Sequence, residues 1–200
     1  LENAGISVVL GVDIDPVCEH AFVHNLSGAF LEEDVSDLSA SELNAAYPDG
    51  SVRLLAGCAP CQPYSTYRRA TKGMPGRNDW DLVQKFANLV EEVQPELVTM
   101  ENVPPLADQP VFATLLASLS GYHVDWDIVE MRRLGLPQTR KRLVLIASRL
   151  GPIELTLPEE PPKSVRETIG ALPRLRAGET SRDDPMHRAS CLSELNLLRI

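Results

Sequence analysis

Cys58 and Cys61 lie three positions apart where a short apolar segment ends. A Cys-x-x-Cys pair after a strand is typical of thiol oxidoreductases, in which the first thiol has a lowered pKa. The same residues suit a single nucleophile at Cys61, with Cys58 as the last core residue of the strand. Residues 60–79 favour the nucleophile, because a redox pair is normally continued by a helix. A long glycine-containing loop with four basic residues instead suits a lid over an anionic substrate.

Acidic residues stand where other predicted strands end. In open parallel sheets, ligands bind at the carboxyl ends of the strands, which points to Asp13, Asp34 and Glu101. Asp13 suits hydrogen bonds to a ribose diol, or equally an N-cap for the helix that follows. Glu101 suits acid–base chemistry, or a buried structural carboxylate that caps the turn at Pro104 and Pro105.

Arg140 and Arg142 lie two positions apart at the start of another predicted strand. Side chains with that spacing project to the same face of a strand. They can hold an anionic group together, or form an ordinary exposed edge.

The elements that position these residues alternate between apolar β-branched runs and helical patterns. This order predicts an α/β fold with a doubly wound, mainly parallel sheet, in which one of the last two strands runs antiparallel at the edge. The predicted strands cover 8–14, 29–31, 52–58, 97–103, 123–131 and 142–148, and the predicted helices cover 16–26, 39–47, 80–93, 111–119 and 192–199.

Prolines divide the chain into two parts. They recur from residue 151 onward, where periodic structure weakens, so we predict a linker at 151–162. The predicted domains are 1–150, with the sheet and the candidate site, and 151–200, the start of a small irregular unit.

The composition suits a chain with one hydrophobic core. Of its 200 residues, 44% are apolar, yet the apolar runs fall far short of a membrane span and no basic-then-apolar leader is present. We therefore expect a soluble, intracellular protein with free thiols. Cys18, His20 and His24 share a helical segment but lack a second ligand pair at zinc spacing, so no metal is expected.

The net charge of −9 is unevenly distributed. Residues 1–50 hold ten Asp and Glu and no Lys or Arg, whereas the basic residues include a cluster within 131–149. That cluster can meet an anionic partner, or form a solvated charged rim.

Three segments resemble motifs of the cytosine-5 DNA methyltransferases. Pro60-Cys61-Gln62 is similar to that family's Pro-Cys-Gln motif, and Glu101-Asn102-Val103 to its Glu-Asn-Val motif. Gln138, Arg140 and Arg142 match its Gln-x-Arg-x-Arg motif, and all three occur in the family's order. The resemblance covers residues 1–149 and extends more loosely to 200. It implies a Rossmann-like class I methyltransferase that uses S-adenosylmethionine.

The resemblance implies a role for each matching residue. Cys61 would add to C6 of a cytosine flipped out of duplex DNA, and Glu101 would protonate or hydrogen-bond N3. Arg140 and Arg142 would fix the base, orient the glutamate and contact phosphate. Cofactor contacts would come from Asp13 and Ile14 at the ribose and adenine, Asp34 and Val35 at the adenine, and Pro60 and Leu82 at the methionine part. DNA contacts would come from Gln62, Ser65, Arg68, Arg69, Lys72 and Gln138.

The same resemblance sets expectations about the whole protein. The family's glycine-rich first motif is absent, and residues 168–173 look like the entry to its recognition region. We therefore expect an internal fragment of a DNA (cytosine-5) methyltransferase. Its partners would be duplex DNA and a cognate restriction endonuclease system, in the cytoplasm of a prokaryote or the nucleus of a eukaryote. The alternatives are cytosine-5 methylation of transfer RNA, a thiol oxidoreductase and a non-catalytic nucleic-acid-binding module.

Overall fold

The computed structural model describes residues 2–59, 80–185 and 187–199. Each predicted strand and helix is present, with ends that shift by up to two residues, and the α/β class is confirmed. Short 3-10 helices at Glu2–Ala4, Pro104–Asp108 and Met131–Arg133 lie between the longer elements. Those elements are β1 (Leu10–Asp13), α1 (Val17–Asn25), β2 (Ala29–Glu32), α2 (Ala40–Ala46), β3 (Leu54–Gly57), α3 (Trp80–Val93), β4 (Leu97–Asn102), α4 (Pro110–Ser118), β5 (His123–Glu130), β6 (Lys141–Ser148), α5 (Val165–Ile169) and α6 (Glu194–Leu197).

Four strands form one sheet in the order β3-β4-β6-β5. β3 and β4 are parallel, whereas β6 is antiparallel to both of its neighbours, so one late strand does oppose the others. Its expected place at the edge is wrong, because β6 lies inside the sheet. Leu143, Leu145 and Ala147 of β6 are fully buried, which suits an interior strand, and the charged and half-exposed β5 forms the edge.

β1 and β2 form a separate parallel pair. In the described structure no residue from 2 to 37 is buried. A cavity lies between this pair and the larger sheet, lined by β1 on one side and β3 on the other. The carboxyl ends of β1 and β3 therefore open onto the same space.

The core lies between the four-stranded sheet and the helices α3 and α4. On α3, Val83, Phe86, Val90 and Val93 are buried at a spacing of three to four residues, as an amphipathic helix requires. This packing fixes β4, the strand that carries Glu101.

Residues 151–199 contribute no buried side chain among those described. This segment contacts β5 through the Leu155 amide, which donates to Asp125, and contacts the following turn through the Glu160 amide, which donates to the Arg133 carbonyl. The domain boundary at 150 stays a prediction. No described helix combines the length and apolar character that a membrane span requires.

Arg53 and Glu96 join β3 and β4 where these strands begin, at the end opposite Cys58 and Glu101. The Arg53 amide and Nε both donate to Glu96 Oε2, at 2.9 and 3.0 Å, and Arg53 Nη2 donates to Oε1 at 3.0 Å. These hydrogen bonds hold the pKa of Glu96 at about 2, below its ordinary value of 4.5. The ion pair fixes the register of β3 against β4 before the two strands reach the site.

Replacement of Glu96 by glutamine should lower the free energy of unfolding at pH 7 by about 1–3 kcal/mol. Because the carboxylate has a lowered pKa in the folded state, its contribution is fully present above pH 4.5 and is lost as the pH falls toward 2. Urea unfolding between pH 7 and pH 2 should therefore show a smaller loss of stability in Glu96→Gln than in the wild type. Glu92→Gln, at an exposed position of α3, is the control. Equal pH profiles in Glu96→Gln and the wild type would contradict the assignment.

Candidate functional site

The adjacent carboxyl ends of β3 and β4 bring Cys58 and Glu101 together. Gly57 pairs with Met100 across the two strands, and a Cβ at Gly57 would come within 2.5 Å of the Phe86 ring, so glycine permits this close approach. One residue later, the Cys58 Sγ donates to Glu101 Oε2 at 3.0 Å. The interpretation of Cys58 as a core residue is wrong, because β3 ends before it and its side chain is exposed.

Arg142 binds the other oxygen of the same carboxylate. The antiparallel register pairs Glu101 with Val144 of β6, which places Arg142 within reach, and Arg142 Nε lies 2.5 Å from Glu101 Oε1. The Arg142 side chain is 15% exposed and that of Glu101 is 39% exposed. The carboxylate is thus held from the protein side and open toward solvent.

Asn102, rather than Glu101, contacts the backbone just before the turn at Pro104. Its Oδ1 accepts from the Val103 amide at 2.8 Å. No described side chain caps the short helix that begins at Pro104, and the half-exposed Glu101 carboxylate binds Cys58 and Arg142 instead, so the structural alternative for Glu101 is wrong. The Asn102 Nδ2 donates to the Ala59 carbonyl at 3.0 Å, and the residue is only 2% exposed. Asn102 thereby ties the chain just after β3 to the end of β4. The polar residue ending an apolar strand was the signal that sequence reasoning missed.

The remaining predicted catalytic and DNA-contact residues divide into two groups. Arg140 lies one residue before β6 with an exposed side chain, and Gln138 is exposed in the preceding turn, which Gly135 opens with φ +73°. No described contact joins either side chain to Glu101. The other predictions, Cys61, Gln62, Ser65, Arg68, Arg69 and Lys72, lie outside the described residues, as does the predicted cofactor residue Pro60.

Five of the six predicted cofactor residues line one cavity of about 1120 Å³, namely Asp13, Ile14, Asp34, Val35 and Leu82. Two strand-end carboxylates and three apolar side chains are thus brought together, although their roles stay predictions. Two hydrogen-bond acceptors among apolar side chains fit a ligand with hydroxyl and amine groups on an apolar ring. Cys58 and Ala59 line the same cavity, which links it to the site at Glu101.

Asp13 does not cap α1. Its Oδ1 accepts from the Asp15 amide at 2.9 Å, and Asp15 in turn accepts from the Val17 amide at 3.0 Å, so the N-cap interpretation of Asp13 is wrong. Desolvation and the two neighbouring carboxylates raise the pKa of the Cys18 thiol. Within the described ranges no group of three residues is placed to bind a metal ion.

Comparison with known proteins identifies the family. A family model of the C-5 cytosine-specific DNA methylase matches residues 1–189. The chain belongs to this DNA methylase family. The Type II methylase M.HgiDII of Herpetosiphon aurantiacus is 38% identical over 204 residues, which cover 98% of this chain and 57% of that protein. The Type II methyltransferase M.NaeI of Lentzea aerocolonigenes is 34% identical, across 85% of this chain and 41% of that protein. The chain spans about half the length of such relatives.

Solved structures support the DNA methylase fold. A protein encoded within an E. coli prophage and described as a DNA modification methyltransferase superposes with a TM-score of 0.71 at 24% identity, over 90% of this chain and 53% of that one. The Dnmt2 methyltransferase of S. pombe superposes with a TM-score of 0.60 at 21% identity, over 78% of this chain and 47% of that one. The fold of this chain is therefore similar to that of these two solved methyltransferases.

Proposed function

We propose that the protein containing this chain transfers a methyl group from S-adenosylmethionine to C5 of cytosine in duplex DNA. The observation that carries the proposal is the Glu101 carboxylate, which Arg142 holds beside the strand end that leads to Cys61. Membership of the DNA methylase family and the Type II methylase relatives support DNA as the substrate rather than transfer RNA.

Cys61 is assigned to the covalent activation of the cytosine base. C5 of cytosine is a poor nucleophile, so the ring must first become electron-rich. The Cys61 thiolate forms a bond to C6, and the electron pair of the C5–C6 double bond moves into the ring toward N3. After C5 is methylated, loss of its proton restores the double bond and expels the thiolate. No residue is assigned to that last proton transfer.

Glu101 stabilises the charge that thiolate addition produces. As an acid at N3, or as a hydrogen-bond partner of N3 and of the exocyclic amine, it lowers the barrier to addition. Arg142 on Oε1 fixes the carboxylate, while the 39% exposure of the side chain leaves room for the base. Arg140, one residue before β6, is assigned to the base and its phosphate.

The cavity between β1 and β3 suits the cofactor. Asp13 and Asp34 supply acceptors for the ribose hydroxyls and the adenine amine, and Ile14 and Val35 supply apolar surface for the ring. Leu82 and Pro60 are assigned to the methionine part. When bound, S-adenosylmethionine supplies an electrophilic methyl group.

A cytosine within a duplex cannot reach such a site, so the mechanism requires base flipping. Gln62, Ser65 and Gln138 are assigned to the DNA around the flipped base. Arg68, Arg69 and Lys72 are assigned to the phosphate backbone, where cations supply most of the affinity. The bacterial Type II relatives support a restriction–modification context and a cytoplasmic location.

The test uses the complete protein in which this chain occurs, with S-adenosylmethionine labelled in the methyl group. Incubation with duplex DNA should place the label in 5-methylcytosine, whereas transfer RNA should stay unlabelled. Label in transfer RNA alone would overturn the choice of substrate. No label in either polymer, with a folded protein that binds the cofactor, would overturn methyl transfer itself.

A further inference from the structure

Cys58 has no part in the proposed reaction, yet it contacts the carboxylate on which that reaction depends. Its Sγ lies 3.0 Å from Glu101 Oε2, while Arg142 binds Oε1. We propose that Cys58 is a positioning residue, whose thiol donates a hydrogen bond to Oε2 and so fixes the plane of the Glu101 carboxylate. This inference rests on the proposed function.

The Glu101 carboxylate needs two partners because its side chain can rotate about its last torsion. The last torsion of a glutamate side chain has no sharp energy minimum, so an ion pair at one oxygen leaves the carboxylate able to rotate. A second donor at the other oxygen removes that rotation. Since catalysis falls steeply when reacting groups are misplaced by even an ångström, the second contact contributes to the rate.

The backbone around Cys58 is held independently of this contact. Gly57 is the last residue of β3, and the Ala59 carbonyl accepts from the buried Asn102 Nδ2. The Cα of Cys58 is therefore fixed on both sides, and its side chain points to Oε2 from a rigid base.

A thiol is suited to a contact that must not compete with the substrate. It is a weak donor, and hydrogen bonds to a charged acceptor are stronger than neutral ones. Cys58 can therefore orient Glu101 while the second lone pair of Oε2 stays available to the exocyclic amine of cytosine. The exposed position of Cys58 also allows substitutions without disturbing the core.

The test compares three substitutions at this position in the complete protein. Cys58→Ser retains a donor, Cys58→Ala removes it, and Cys58→Val removes it while an apolar group fills the space of the sulfur. Cys58→Ala and Cys58→Val should each slow methyl transfer in a single turnover about tenfold. Cys58→Ser should stay within about twofold of the wild type. Affinities for S-adenosylmethionine and for duplex DNA should not change in the three variants.

Cys191→Ala, at an exposed thiol in the 151–199 segment, is the matched control and should behave as the wild type. Given an active wild-type enzyme, an unchanged rate in Cys58→Ala would overturn the proposal. Wild-type rates in both Cys58→Val and Cys58→Ser would also overturn it, because the contact of Cys58 with Glu101 would then be one of packing. Loss of methyl transfer in Cys58→Ser would also overturn it, because a retained hydrogen-bond donor would then not preserve the rate. Absence of methyl transfer by the wild type, in contrast, would overturn the proposed function on which the inference rests.

Discussion

Cys61→Ala should reduce methyl transfer to duplex DNA more than about 10³-fold, because without the thiolate the C5 position of cytosine is not activated. The affinity for S-adenosylmethionine should stay close to that of the wild type, since the residues assigned to the cofactor lie mainly at or just after the ends of β1 and β2 and on α3. Labelled methyl transfer measures the first quantity and calorimetric titration the second.

A covalent trap tests Cys61 as the nucleophile without a measurement of turnover. A duplex with 5-fluorocytosine at the target position should form a stable adduct with the wild type, because fluorine blocks the final loss of a proton from C5. Cys58→Ser should still be trapped, whereas Cys61→Ala should not. An adduct in Cys61→Ala would show that another residue is the nucleophile.

Glu101→Gln should lower the rate of methyl transfer about 10²- to 10⁴-fold, as expected for the loss of a positioned acid. Glutamine keeps the shape of the side chain but cannot transfer a proton to N3. Glu130→Gln is the matched control, because Glu130 is also a carboxylate at a strand end paired with an arginine, at 3.5 Å from Arg132 Nε. The control should keep nearly the full rate.

A double-mutant cycle then separates Arg142 from Glu101. If Arg142 acts through the carboxylate, as their 2.5 Å contact indicates, the double variant Glu101→Gln, Arg142→Met should lose little more activity than Glu101→Gln alone. Single-turnover rates of the four proteins provide the coupling free energy. Additive losses would assign Arg142 an independent contact with the DNA.

The sequence was sufficient to locate the ends of β3 and β4 to within one residue, and therefore Glu101 as a candidate, although Cys58 was interpreted as a core residue. Apolar runs stop there, and parallel strands bring such ends to one edge of a sheet. Their partners were harder to predict. The bond from Asn102 to the Ala59 carbonyl depends on how closely the two strands approach, which Gly57 and Phe86 determine through packing.

The predicted position of β6 at the edge of the sheet was wrong for a related reason, because strand order also depends on packing. The irregular connection between β5 and β6 predicted that one of these strands runs antiparallel to the others. Their order in the sheet depends instead on which of the two strands is apolar on both faces. β6 buries Leu143, Leu145 and Ala147, whereas β5 carries Asp125 and Asp127. The helix α5 was also missed, although Ser164 and Glu167 form a capping box that the sequence displays.

The cavity between the two sheets has a consequence for how the protein recognises its ligand. The part of the chain that supplies Asp13, Ile14, Asp34 and Val35 buries no side chain of its own in the described structure. Such segments open at a low free-energy cost. We expect a ligand that fills the cavity to bury these side chains, so that part of its binding energy orders the chain around it. Calorimetric titration of this chain with the ligand should then show a heat-capacity change larger than the ligand's own surface accounts for.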